Sequence, residues 1–484
     1  MDIKANYIGG AWHGSGEAIE NRSPSDTSDL VGLYAQASRA DVDDAVEAAG
    51  QAGPRWAATP LEARLGALDA IGQELIARAE ELGRLLSREE GKPLNEGIGE
   101  VRRSGQFFTY FAAEVLRQLG ESADSVRPGI EIDVRREPVG VVAIVSPWNF
   151  PMATAAWKIA PALAFGNTVV WKPANLTPAS AFALAEIISR QSLPAGAFNL
   201  VMGPGGRIGG HLAAHAGVRA ISFTGSLEVG RSVAVRAAGH LARVQLEMGS
   251  KNPLLVMDDA DLDLAVTLAL NSAFGGSGQK CTAASRLIVH RKVHDAFVEK
   301  LLARLPEWRV GHALEPGIAM GPVVSAGQLA ANLDYVARGT REGAECVAGG
   351  ERLERPTEGF YMAPTVFIGT RNDMAINREE MFAPITCVIA AGSYEEALAL
   401  ANDSEFGLTA GIVTRSLARA NHFRRHSKSG CVMVNLPTAG TDYHVPFGGM
   451  KASSYGPREQ GRHAVEFYTQ SKTSYVFAGG ELDP

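Results

Sequence analysis

Val139-Gly140-Val141-Val142-Ala143-Ile144-Val145-Ser146 runs straight into Pro147-Trp148-Asn149-Phe150-Pro151. This is an apolar segment of strand length, stopped by a proline-bracketed turn. Further short apolar runs follow at 168–172, 199–202, 220–223 and 244–247, separated by stretches of helix or loop length. Alternation of this kind argues for a parallel sheet with helices on both faces. A second alternation begins at 253–257. It continues with a helix over 261–274, a strand at 287–290 and a helix over 293–305. Strands at 386–390, 409–414 and 431–435 and helices at 394–401 and 417–426 complete it. Two α/β units joined near Gly249 are therefore expected, since 484 residues are too many for one compact core.

Outside the two alternations the pattern changes. Residues 1–35 hold short strand-like pieces broken by glycine, serine and proline. From 41 to about 119 apolar residues recur at helical spacing, as in Leu61, Leu65, Leu68, Ile71 and Leu75. Thr59-Pro60-Leu61-Glu62 reads as a helix start, with Thr59 as the cap and Pro60 in the first turn. Residues 121–138 are polar and extended, an excursion from the main body. The tail at 465–477 alternates like a single strand.

Composition excludes several functions. A net charge of -7 with no block of like charge argues against nucleic acid as a partner. No apolar run approaches the ~20 residues of a membrane span, and the first residues lack a signal core, so a cytoplasmic protein with no membrane partner is expected. Cys281, Cys346, Cys387 and Cys431 have no CxxC spacing, so neither a disulfide framework nor a metal site is expected.

In open parallel sheets ligands bind beyond the carboxyl ends of the strands. Those ends carry Asn149 after the first run, Lys172-Pro173-Ala174-Asn175 after the second and Gly203-Pro204-Gly205-Gly206 after the third. Thr224-Gly225-Ser226 and Glu247-Met248-Gly249 follow the last two. Each alone is explained by turn or cap chemistry; five at one sheet edge are not. The glycine turns suit phosphate, because exposed backbone N–H groups at a helix start favour anions. Gly203, Gly205 and Gly209 nevertheless miss the GxGxxG spacing by one residue. The 225–232 stretch misses a P-loop because Arg231 stands where lysine belongs. The remaining segment of note is Phe274-Gly275-Gly276-Ser277-Gly278-Gln279-Lys280-Cys281-Thr282-Ala283-Ala284-Ser285-Arg286, an open backbone around one thiol. Such a thiol could equally be a small core residue.

Taken together, these residues resemble the NAD(P)-dependent aldehyde dehydrogenase superfamily over essentially the whole chain. The landmarks are Pro147 to Pro151, Lys172-Pro173-Ala174, Phe223-Thr224-Gly225-Ser226 with Gly230, Glu247-Met248-Gly249 and Gly278-Gln279-Lys280-Cys281. Glu379-Glu380-Met381-Phe382-Ala383-Pro384, Asn435 and Pro446-Phe447-Gly448-Gly449 continue the series. The resemblance implies a Rossmann-like cofactor domain (1–120 and 139–249), an α/β catalytic domain (250–450) and a small β excursion (121–138 with 463–484). That excursion would build a homodimer or homotetramer. It further implies Cys281 as nucleophile, Glu247 as general base, and the Asn149 amide with the Cys281 backbone N–H as oxyanion donors.

For NAD or NADP, the matching positions are Ser146, Trp148, Lys172, Ala174, Asn175, Gly205, Gly209, Phe223, Gly225 and Ser226, then Glu247, Met248, Gly249, Glu380 and Phe382. Asn175 departs from the family pattern: NAD-preferring members often carry glutamate there, which would repel a 2′-phosphate. Ser250 and Ala383 stand where glycine is usual. Locally, 247–253, 436–449 and 453–461 resemble the α-ketoglutaric semialdehyde (2,5-dioxopentanoate) dehydrogenases, implying a carboxylated aldehyde substrate. Phe150, Trp157, Arg103 (or Arg102) and Thr438 (or Thr441) are the candidate substrate residues. The alternatives are a succinic, glutaric or aromatic aldehyde dehydrogenase, and a catalytically silent binding protein of the same fold.

Overall fold

In the computed structural model, which describes residues 2–14, 16–477 and 479, the runs of the first alternation lie side by side. Their order is Arg243–Glu247, Ala220–Thr224, Val141–Val145, Thr168–Lys172 and Phe198–Leu200, all parallel. Ser454–Tyr455 extends one edge, and the hairpin of Asn6–Ile8 and Ala11–His13 extends the other. From Val141–Val145 the chain steps outward through two strands, then returns to the opposite side for the remaining two. That reversal opens a crevice between the carboxyl ends of Val141–Val145 and Ala220–Thr224.

Apolar stripes place the helices. Ile159 and Leu163 of Ala153–Ala164 and Leu184 and Ile188 of Pro178–Ser189 bury against one face of the sheet. They share that core with Leu68, Ile71 and Leu75 of Leu61–Ala77 and with Phe108 and Phe111 of Leu94–Glu114. Arg39–Ala57, started by a Ser38–Asp41 capping box, and Leu227–Ala238 cover the other face. The expected cap at Thr59 is not formed. Pro60 itself occupies the cap position, and the Thr59 hydroxyl donates back to the Arg55 carbonyl (3.0 Å), because the preceding helix ends only at Ala57.

The second alternation forms a seven-stranded sheet. Its order is Glu345–Ala348, Thr365–Ile368, Ile385–Ala391, Ala284–His290, Asn252–Val256, Thr409–Val413 and Cys431–Val434, with only the first pair antiparallel. Leu262–Phe274 and His294–Arg304 pack on one face, Tyr394–Asn402 and Leu417–His426 on the other. The strands Glu345–Ala348 and Thr365–Ile368 and the helix Ala326–Arg341 fall where the sequence reading assigns nothing. That helix buries only Leu329, Asn332 and Gly339, too few apolar positions to show a period.

Glu121–Asp124, Ile130–Pro138 and Thr469–Phe477 form a separate antiparallel sheet, with Thr469 opposite Pro138 and Phe477 opposite Ile130. The expected single strand over 465–477 is corrected at its start. Ala464–Tyr468 is a short helix whose Ala464, Phe467 and Tyr468 are buried at helical spacing, and the strand begins only at Thr469, the rest of it exposed. Residues 478 and 480–484 of the expected C-terminal segment lie outside the described residues. Among the described residues no helix is long and apolar enough to cross a membrane.

Candidate active site

The two sheets meet end to start. Glu247 closes a strand of the first sheet, and Asn252 opens one of the second five residues later. Strand ends of the first sheet (Asn149, Thr224 to Ser226, Glu247) therefore face segments that lead into strands of the second (Cys281, Glu380, Phe382, Leu408). Together they line one cleft of about 850 Å³.

On the first wall Asn149 is 6% exposed, and its Nδ2 donates to the Gln279 carbonyl at 2.9 Å. Ser146 Oγ accepts from Trp171 Nε1 (2.9 Å). Trp148 meets Phe382 edge-on, ring centroids 5.4 Å apart, with Phe382 at φ 54. Phe150 and Trp157 line the cleft, and Trp157 packs between Phe107 and Phe447.

On the second wall the helix Leu262–Phe274 ends in a turn where Gly276, Ser277 and Gly278 all have positive φ. A Cβ on Gly278 would lie 2.0 Å from the Ala383 carbonyl oxygen, so only glycine fits. Glu96 accepts from the Gly276 N–H (3.1 Å) and pairs with Lys280 (2.9 Å). The Cys281 carbonyl accepts from Ser250 Oγ (2.5 Å) and Asn252 Nδ2 (2.7 Å). Cys281 is thus a partly exposed thiol on a turn held from three sides.

Glu247 is 3% exposed and accepts from Ser454 Oγ at 2.6 Å. Burial, then the nearby charge of Glu459, lifts it well above the usual carboxylate range. Glu459 is itself in a fully buried ion pair with Lys158. Burial also pushes the Cys281 thiol up, with Glu247 and Glu380 adding to the shift. Both shifts favour the neutral forms of the two groups.

The groove suits a dinucleotide. Lys172 is buried and donates to the carbonyls of Pro173 (2.6 Å) and Gly203 (3.2 Å), and burial lowers it to about 8. Gly205–Gly209 form a π-helical turn, which accommodates the extra residue that spoils the GxGxxG spacing. Gly205, Gly209, Phe223 and Lys172 line a second cavity on the far side of the Gly225–Ser226 turn. Asn175 Oδ1 is buried with no hydrogen-bond partner among the described residues; Ala174 beside it is partly exposed. Ser226 caps Leu227–Ala238, accepting from the Val229 N–H (3.4 Å), so the helix start faces the groove. Met248 lines the cleft, and a Cβ on Gly249 would lie 2.7 Å from Glu380 Oε2. Glu380 accepts from the Ser250 N–H (2.7 Å), and burial raises it to about 7. Among the described residues no group of three metal-ligating side chains exists.

Two expected substrate residues are placed elsewhere. Thr438 is fully buried, and its hydroxyl donates to the Thr282 carbonyl (2.7 Å), so it braces the turn behind Cys281. Arg103 stacks on Tyr443, 5.3 Å from its centroid, and does not line the cleft. The sequence reading missed Lys92, Lys158, Ser454 and Glu459. Lys158 had a visible signal, a lone lysine among the apolar residues of 153–164; the others lie in unremarkable polar contexts.

One thiol, Cys281, and one buried carboxylate, Glu247, thus line the same cleft. The sequence pattern of the aldehyde dehydrogenase family matches residues 12–474, and the chain belongs to that family. It is 41% identical over 475 residues to the α-ketoglutaric semialdehyde dehydrogenase of Bacillus subtilis, covering 97% of each chain. It is also 41% identical to the α-ketoglutarate semialdehyde dehydrogenase of Haloferax volcanii, over 98% of this chain and 99% of that one. Betaine aldehyde dehydrogenase from Staphylococcus aureus, solved with NAD+, superposes with a TM-score of 0.96 at 32% identity, covering 99% and 95% of the two chains.

Proposed function

We propose that this enzyme oxidises α-ketoglutaric semialdehyde to 2-oxoglutarate. The observation that carries the reading is the 41% identity, over nearly the full length, to two relatives named for that aldehyde. In this reading Cys281 Sγ adds to the aldehyde carbon, and its proton passes to water or to ionised Glu247, which releases it to solvent before the thioester is hydrolysed. The carbonyl oxygen is held by the Asn149 amide, whose second N–H is not committed to Gln279, and by the Cys281 backbone N–H. NAD(P), when bound along Lys172, Gly225–Ser226 and Glu380, supplies the hydride acceptor. The thioester left on Cys281 is hydrolysed by water that gives its proton to Glu247, releasing the acid and restoring the thiol.

Asn175, neutral where a carboxylate would repel a 2′-phosphate, supports use of NADP as well as NAD. We read residues 1–120 with 139–249 as the cofactor-binding domain and 250–450 as the catalytic one. The separate β sheet would join subunits of a cytoplasmic homodimer or homotetramer. The test is steady-state kinetics with 2,5-dioxopentanoate, succinic semialdehyde and benzaldehyde, each against both cofactors. The highest kcat/KM is expected with 2,5-dioxopentanoate; a clear preference for benzaldehyde overturns the substrate. NAD favoured more than about a hundredfold, near 2.7 kcal/mol, overturns the reading of Asn175.

A further inference from the structure

Lys92 takes no part in the chemistry above, yet it is a charge that the fold buries beside it. It follows Gly91, the left-handed cap (φ 100) of the helix Ala79–Glu90, and precedes Leu94–Glu114. It is 3% exposed. Its ammonium donates to Glu100 Oε2 at 2.7 Å, lies 3.9 Å from Glu90 and sits 4.1 Å from the centroid of the Phe150 ring. Carboxylates and a ring face are what a buried ammonium needs to keep its charge. The remaining contact is of another kind: Lys92 Nζ donates at 2.5 Å to the main-chain oxygen of Asn149.

Asn149 is therefore gripped at two points, its backbone by Lys92 and its side chain by the Gln279 carbonyl. Glu100 continues the grip. Its other oxygen accepts from the N–H groups of Met152 (3.0 Å) and Ala153 (3.2 Å), where the next helix begins. One lysine–glutamate pair thus holds the turn from 149 to 153 at both ends. A donor stabilises developing charge only if its direction is set before the reaction. Resting on the assignment of Asn149 as oxyanion donor, we infer that Lys92 is a positioning residue: with Glu100 it locks the 149–153 turn so that the Asn149 amide faces the carbon attacked by Cys281.

The test is a double-mutant cycle of Lys92→Met and Asn149→Ala, read as the rate of the reduced-cofactor burst at saturating aldehyde and cofactor. Cofactor Kd, the alkylation rate of Cys281 by iodoacetamide, and Tm are followed alongside. Removing an oxyanion donor costs about 10²–10³ in rate, and a misdirected donor loses a large share of that. The burst should slow about tenfold or more on Lys92→Met alone, but less than about twofold when Asn149 is already alanine. Kd and alkylation should stay within about twofold of the parent, as expected when only the attack step is affected. A burst unchanged by Lys92→Met, or slowed by the same factor in both backgrounds, makes Lys92 a purely structural cation and overturns the inference. An Asn149→Ala variant as fast as the parent removes the oxyanion assignment, and the inference falls with it. Should Lys92→Met not fold, Glu100→Gln, which keeps the lysine but removes its charged partner, enters the same cycle with the same criteria.

Discussion

At the scale of single residues the proposed mechanism turns on Cys281 and Glu247, both shifted toward their neutral forms by burial. Glu247→Gln is expected to release one burst of reduced cofactor and then stall, its turnover lowered at least about a hundredfold, the lower range for loss of a general base. In the proposed mechanism deacylation requires Glu247 without its proton. Because its folded pKa is raised, the hydrolysis rate should climb as pH rises through a midpoint above the ordinary carboxylate range. In the glutamine variant that climb should vanish, and single-turnover decay of the thioester measures both. Cys281→Ser should lose nearly all oxidation while still binding cofactor, as a fluorescence titration would record. These residues are legible from sequence because each stands alone at a strand end or on a glycine turn. Lys92 is not, being 57 positions from the backbone oxygen it holds.

Among elements, the turn before Cys281 and the start of Pro178–Ser189 carry separate expectations. At Gly278 a methyl group meets the Ala383 carbonyl at a residue with φ 67, so Gly278→Ala combines a clash with backbone strain. A loss of about 2–4 kcal/mol and a slowed burst are expected, read by denaturant unfolding and stopped flow. Glu89 is fully buried, accepts from the N–H groups of Ala179 (2.5 Å) and Ser180 (2.8 Å), and is raised by burial to about 7. A carboxyl whose folded pKa exceeds its unfolded value contributes stability below the unfolded value. That contribution is lost as pH rises through the folded one. Tm should therefore fall between about pH 4.5 and 7 in part through Glu89, and Glu89→Gln should flatten that slope. Parallel strands are readable because both faces are covered, leaving unbroken apolar runs. Thr438 misleads because a hydroxyl in a loop looks alike whether it meets ligand or backbone.

Across the whole molecule, the antiparallel sheet leaves Thr469–Phe477 as an edge strand of nine residues, with Tyr475, Val476 and Phe477 between 45% and 60% exposed. Such an edge invites pairing with another chain. Val476→Asp is expected to shift the particle to a smaller mass by light scattering, without moving the aldehyde preference. The order of the landmarks makes the family legible in the sequence. The meeting of one sheet's ends with the other's beginnings is not, since only the folded chain closes the 34 positions between Glu247 and Cys281. Ser454, which binds Glu247, lies 207 positions after it, and Glu459 follows. During synthesis residues 454 and 459 must both leave the ribosome before this carboxylate gains those neighbours. A nascent chain halted short of residue 454 therefore lacks both the Ser454 hydroxyl and the Glu459 charge beside Glu247.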